Sequence, residues 1–294
     1  MSLKWLFGAA LLLCFTPAMG CVNAIGTDHD GRRFDAGWQT GKELAGTINN
    51  PDKARYWLGR ANEIVARSRS KPDLETLTDL GILLLYQGQY TKAIQLFLTI
   101  ERRYPGHPEA AANLGTALEL SGHDATALRW IRIGMRRNTE EHWGTEWLHA
   151  RILEAKIAAS MDPTYFDHHS ITGLVFEKVL VPSLPGSMPT GNTGKPARPW
   201  DVHRALSYQL SERTGFVKPR DPVVANLLHD WATLNLAGGP IESADVLYDL
   251  AVTYGAKREV LMRNRQAYIK RVLAQAGDTE VSYDTPCAIC PPPE

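Results

Sequence analysis

The feature that most restricts this chain is a self-similarity at an offset of 34 residues. Leu80-Gly81 recurs as Leu114-Gly115, Leu84 as Leu118, Gly88 as Gly122 and Ala93 as Ala127, with Phe97 answered by Ile131. Pro105 closes the first unit, and Thr139 stands at its place in the second. A period of this length describes one supersecondary unit that cannot bury its apolar face alone and must stack on a neighbour.

Each unit reads as two helices, A and B. Helix A carries the Leu-Gly pair, whose glycine lets the partner helix come close. Gly88 and Gly122 fall in the A-to-B turn, where a positive φ costs glycine little. Ala93 and Ala127 are the small contacts of helix B, and Phe97 or Ile131 fills the gap between units. This arrangement resembles the tetratricopeptide-repeat (TPR) family over two units, residues 74–107 and 108–141. The resemblance implies an all-α solenoid of helical hairpins, here with a long proline-rich insert and C-terminal capping helices.

The rest of the chain is arranged around those repeats. Residues 21–50 show no sustained period and read as a tether or loop. A helix is expected over 51–69, opened by Asn50 and Pro51, and another over 144–160 closes an N-terminal block of residues 51–160. Residues 161–200 read as a loop insert, since Pro182, Pro185, Pro189, Pro196 and Pro199 forbid a helix. Helix resumes at Asp201, expected as an N-cap. Leu228, Ala232, Gly239, Ala244, Tyr248 and Ala251 fit the same template, which makes 201–277 a C-terminal TPR-like block. Residues 278–294 read as a flexible tail.

Composition narrows the function by exclusion. Across 294 residues, 32 Lys and Arg balance 32 Asp and Glu, so there is no electrostatic footprint for nucleic acid or an anionic membrane. Four cysteines are too few for a disulfide-stapled small scaffold. Residues 1–20 have the layout of a secretory signal peptide: Lys4, an apolar run from Trp5 to Phe15, then small residues. Cys21 after Ala18-Met19-Gly20 resembles the lipidation site of a bacterial lipoprotein, although Ala18 stands where leucine is usual. Ordinary cleavage after Gly20 or Ala24 is the alternative. The expectation is an exported protein of the periplasm or cell envelope, anchored to a membrane only through lipid on Cys21. Export also permits a disulfide between Cys287 and Cys290.

No enzyme signature emerges. There is no phosphate-binding loop and no nucleophile elbow. Asp167-His168-His169 has metal-ligand residue types without a spaced third ligand, and His142 and His149 lie two helical turns apart. No catalytic residue, metal or cofactor is therefore expected. The TPR resemblance implies instead a groove on the A helices that binds a protein or peptide, lined by Thr78, Ile82, Leu85, Tyr86, Asn113, Thr116 and Glu119. Only Asn113 matches the family's carboxylate clamp, so an apolar or helical segment is the expected occupant. Trp143, Trp147 and His149 read either as a partner anchor or as the cap of the array. Arg213 and Phe216 read as part of a turn between helices. Two alternatives stand beside the scaffold: an envelope metalloenzyme or metal module using His142, His149, His168 and His169 with Glu146, and a structural subunit of a larger envelope complex.

Overall fold

A computed structural model describes residues 24–277, 279–283 and 287–292; the expected signal peptide and Cys21 lie outside the described residues. The described chain is mostly helical, with little sheet. In order it runs β1 (Ile25–Thr27), β2 (Arg33–Asp35), α1 (Gly41–Thr47), α2 (Asp52–Gly59), α3 (Ala61–Ser70), α4 (Leu74–Tyr86), α5 (Tyr90–Arg103), α6 (Pro108–Leu120) and α7 (Asp124–Arg137). A 3-10 turn (Glu141–Gly144) leads into α8 (Glu146–Met161), followed by the short α9 (Tyr165–His168), α10 (Pro199–Phe216), α11 (Pro222–Gly238), α12 (Ile241–Tyr254), α13 (Val260–Ala276) and β3 (Val281–Ser282).

Helices α3 to α8 pack each against the next. Asp73 caps α4: its carboxylate accepts from the Thr76 amide at 3.0 Å, and the Thr76 hydroxyl accepts from the Asp73 amide at 3.2 Å. Gly81 lies under the Phe97 ring, where a Cβ would stand 2.4 Å from the nearest ring carbon, and Gly115 stands in the same relation to Ile131 at 2.5 Å. The large residue thus fills the space inside each helix pair, not the gap between units. Gly88 and Gly122 turn the chain at φ +69° and +82°.

Two buried cores share α8. Leu77, Phe97, Leu114 and Ile131 belong to one, and Leu206, Leu228, Trp231 and Leu247 to the other. Ala150 and Leu153 of α8 enter the first, while Leu148 and Ile152 enter the second. Helix α8 therefore joins the two helical blocks and does not simply end the first.

Several expectations need correction. The helix over 51–69 breaks at Gly59-Arg60 into α2 and α3, glycine being a poor helix former. Of the stretch expected as a tether, residues 24–50 are docked: Leu44 and Ile48 are buried, and the Gly41 amide donates to Ser243 Oγ at 2.9 Å. Backbone bonds of this kind leave no period to read. The 161–200 insert holds α9, and it buries Ile171 and Leu174. Helix α10 starts before Asp201, whose carboxylate instead accepts from the Arg198 amide at 3.1 Å.

The described part of the tail is docked as well. β3 pairs in parallel with β2, which pairs antiparallel with β1. Cys287 and Cys290 are joined by a disulfide. Between them Ile289 is buried against Gly239, where a Cβ would stand 2.4 Å away. Among the described residues, no helix is long and apolar enough to cross a membrane.

Candidate functional site

The faces of α4 and α6 line a half-open cavity rather than a free groove. Helix α10 lies across them, and α2 closes one side, leaving a cavity of about 340 Å³. That volume is at the lower end of ligand pockets. It excludes a helix, whose diameter with side chains is about 10 Å. The expected helical occupant has no room, because α10 already covers the face. Helix α10 is anchored there by its other face: Val202, Ala205, Leu206 and Leu210 are fully buried in the second core.

The cavity brings together most of the residues expected from the sequence. Ile82, Leu85 and Tyr86 come from α4; Asn113, Thr116 and Glu119 from α6; His149 from α8. Thr78 is buried and is not part of the lining. Trp147 is 3% exposed, within the second core, and cannot meet a partner. Trp143 is 64% exposed and stands edge-on to Tyr208, 5.5 Å between ring centres, also outside the lining. His168 and His169 lie in an exposed segment remote from the cavity lining, with His169 stacked on Tyr165. Among the described residues, no three or more His, Cys, Asp or Glu side chains are grouped to hold a metal ion.

Half of the lining was not legible in the sequence. Helix α10 supplies Tyr208, Gln209, Glu212, Arg213 and Phe216, and α2 supplies Lys53 and Trp57. Arg213, expected in a bland turn, donates to both oxygens of Glu119, at 2.8 and 3.1 Å. Aromatic faces line the same space, with Tyr86 4.7 Å from Phe216 and 6.3 Å from Trp57 between ring centres.

A charged network forms the floor. Besides Arg213, Glu119 meets Lys156 Nζ at 2.9 Å and His149 Nε2 at 2.8 Å. Glu146 meets His142 Nδ1 at 2.7 Å and His149 Nδ1 at 3.5 Å. His142 and Trp143 hold left-handed backbone, φ +48° and +56°, which non-glycine residues rarely adopt. That turn is what aims His142 back at Glu146.

Burial disfavours charge on Glu119, Glu146, His142 and His149, yet the pairing outweighs it. Glu119 is held well below the usual carboxylate range by Arg213, His149 and Lys156. Glu146 is lowered to about 2 by its two histidines. His149 is raised to about 9 by Glu119 and Glu146, so it is a cation at neutral pH. His142 is likewise raised.

Some lining groups have no partner among the described residues. Asn113 Nδ2 and Arg213 Nε are buried without a hydrogen bond. The side chain of Gln209, 5% exposed, also lines the cavity. Groups of this kind cost stability unless a ligand or water meets them. No protein-family model matches the chain, and no curated protein matches it.

Proposed function

We propose that this chain is a non-enzymatic binding scaffold of a bacterial cell envelope, built on TPR-type helical hairpins, and that it captures a segment of a partner protein in the cavity between α4, α6 and α10. One observation carries the reading: unpartnered polar groups and aromatic faces converge on one cavity, formed on the helices where the TPR resemblance places a binding face. The segment enters as one or two side chains, since α10 leaves no room for a helix. Export and a lipid anchor on Cys21 rest on the signal-like residues 1–21.

The test uses the full chain in its native envelope. A photo-reactive amino acid at position 86, in the cavity, should give a discrete adduct with one partner. The same probe at the exposed position 95 should not. Equal adducts at both positions, or none at 86, would refute capture by the cavity. Cys21→Ser should release the protein from the membrane fraction; unchanged attachment would refute the lipid anchor.

A further inference from the structure

Helix α13 carries Arg263, Arg265, Lys270 and Arg271 and no Asp or Glu. The balanced total charge of the chain hides this local excess. Arg265 points inward and donates to the carbonyls of Glu177 and Val179, at 3.1 and 3.0 Å. Arg263, Lys270 and Arg271 recur at helical spacing on the outer face with Ala267, all exposed. Lys178 is exposed on the loop that Arg265 holds. The acids around this face are engaged elsewhere: Asp249 with Arg258, Asp167 with Lys257, Asp28 and Asp30 with Arg32. Asp245 accepts from Gln266, and Lys270 acts on it only at longer range. Glu259 and Glu280 stand beyond the two ends of the helix.

The same loop exposes Val175, Val179 and Leu180, and Val260 is exposed at the start of α13. The turn between β1 and β2 packs on the later half of the helix. There the Tyr268 hydroxyl donates to the His29 carbonyl at 2.7 Å, and a Cβ on Gly31 would stand 3.6 Å from Val272. Cys21 lies three residues before Ala24, where the described chain enters β1, a reach of at most about 10 Å. A lipid on Cys21 would therefore hold a bilayer at the end of the molecule that carries α13.

We propose that the outer face of α13 and the 175–180 loop lie on an anionic phospholipid bilayer, with Arg263, Lys270, Arg271 and Lys178 among the phosphates and Val175, Val179 and Leu180 at the acyl boundary. This rests on the lipid-anchor reading of Cys21 and says which face turns to the membrane. Cations beside exposed apolar side chains bind such a surface through charge and burial together. A nucleic acid would use the cations and leave the valines and the leucine in water. An acidic protein could cover both, but only a bilayer is brought to this face by the chain itself.

The test uses residues 21–294 with Cys21→Ser, which keep every described residue and lack both the lipid and the apolar run 5–15. Vesicles are phosphatidylcholine alone or with about one-third phosphatidylglycerol, at low salt, where surface charge is least screened. Co-sedimentation should be at least about tenfold stronger on the anionic vesicles, since each cation near the surface contributes about fivefold. Arg263→Gln/Lys270→Gln/Arg271→Gln should remove about that factor. Arg102→Gln/Arg103→Gln/Arg129→Gln, an equal loss of charge on α5 and α7, should not. A polarity-sensitive dye on Val175→Cys should shift to the blue on binding, and one on Gln95→Cys should not. No binding, equal binding to both vesicles, or equal losses in the two triple variants overturns the surface. Binding without a dye shift at position 175 overturns the bilayer and leaves a soluble polyanion as the partner of the cations. Physiological salt should release this unlipidated chain, so fractionation of Cys21→Ser still decides the lipid anchor, and cross-linking at position 86 the cavity.

Discussion

Arg213 on α10 donates to both carboxylate oxygens of Glu119 on α6, across 94 residues of chain. The pair fastens the second helical block to the face of the first, and the Arg213 side chain is only 9% exposed. Arginine's planar fork suits such two-point contact better than a lysine point charge. Breaking a buried pair on one side costs about 3–5 kcal/mol, because the remaining charge is left unpaired. Arg213→Ala should therefore lower unfolding stability by about 3 kcal/mol in urea, since Lys156 and His149 still hold Glu119. Arg213→Lys should recover part of the loss. A loss under about 0.5 kcal/mol, the size typical of an exposed pair, would refute the fastening.

Two histidines set opposite limbs of the stability–pH curve. His149 has its pKa raised from 6.5 to about 9. Its contribution is complete below pH 6.5 and is lost as pH rises towards 9. His203, buried between Trp200 and Trp231 and accepting from Trp231 Nε1 at 3.1 Å, is lowered by burial to about 3. Its contribution is complete above pH 6.5 and is lost as pH falls towards 3. Glu146, lowered to about 2, adds a loss below pH 4.5. Urea-unfolding stability should peak near pH 6.5. His149→Gln should flatten the alkaline limb by at most about 3 kcal/mol and His203→Gln the upper part of the acid limb by at most about 5 kcal/mol. An alkaline limb unchanged in His149→Gln would contradict the charged network.

Gly81 tests the helix-pair packing. Alanine is the better helix former by about 1 kcal/mol, so local propensity alone predicts stabilisation. The Phe97 ring, 2.4 Å from the added Cβ position, opposes it. Overpacking costs about 1–3 kcal/mol, and Gly81→Ala should be net destabilising. Gly81→Ala/Phe97→Leu should be more stable than the sum of the two single changes. Additive single changes would mean that the ring is not the obstacle.

The Cys287–Cys290 turn holds Ile289 in a notch at Gly238-Gly239. Ile289→Ala should cost about 2 kcal/mol, at the low end for a buried isoleucine because the site is peripheral. Hydrogen exchange at the Ala288 amide, which donates to the Gly238 carbonyl at 3.1 Å, should quicken. Exchange no faster than in the unaltered chain would show that the turn docks without Ile289.

The sequence by itself determined the helices from α4 to α7. Their signals are local: the repeated Leu-Gly pairs and the turn glycines act within one or two helical turns, so spacing reveals them. It also placed six cavity residues, because two A helices in register carry matching faces to the same side; His149 on α8 came from the aromatic segment read as an anchor or a cap. It did not reveal the tether's docking or the tail's, which rest on backbone hydrogen bonds and on a notch beside glycines that leave no periodic trace. Nor did it reveal what covers the faces of α4 and α6. Only the tertiary structure decided that α10 lies there and that Arg213 meets Glu119. Charge pairing across 94 residues depends on which helix faces come together, and nothing in local composition encodes that.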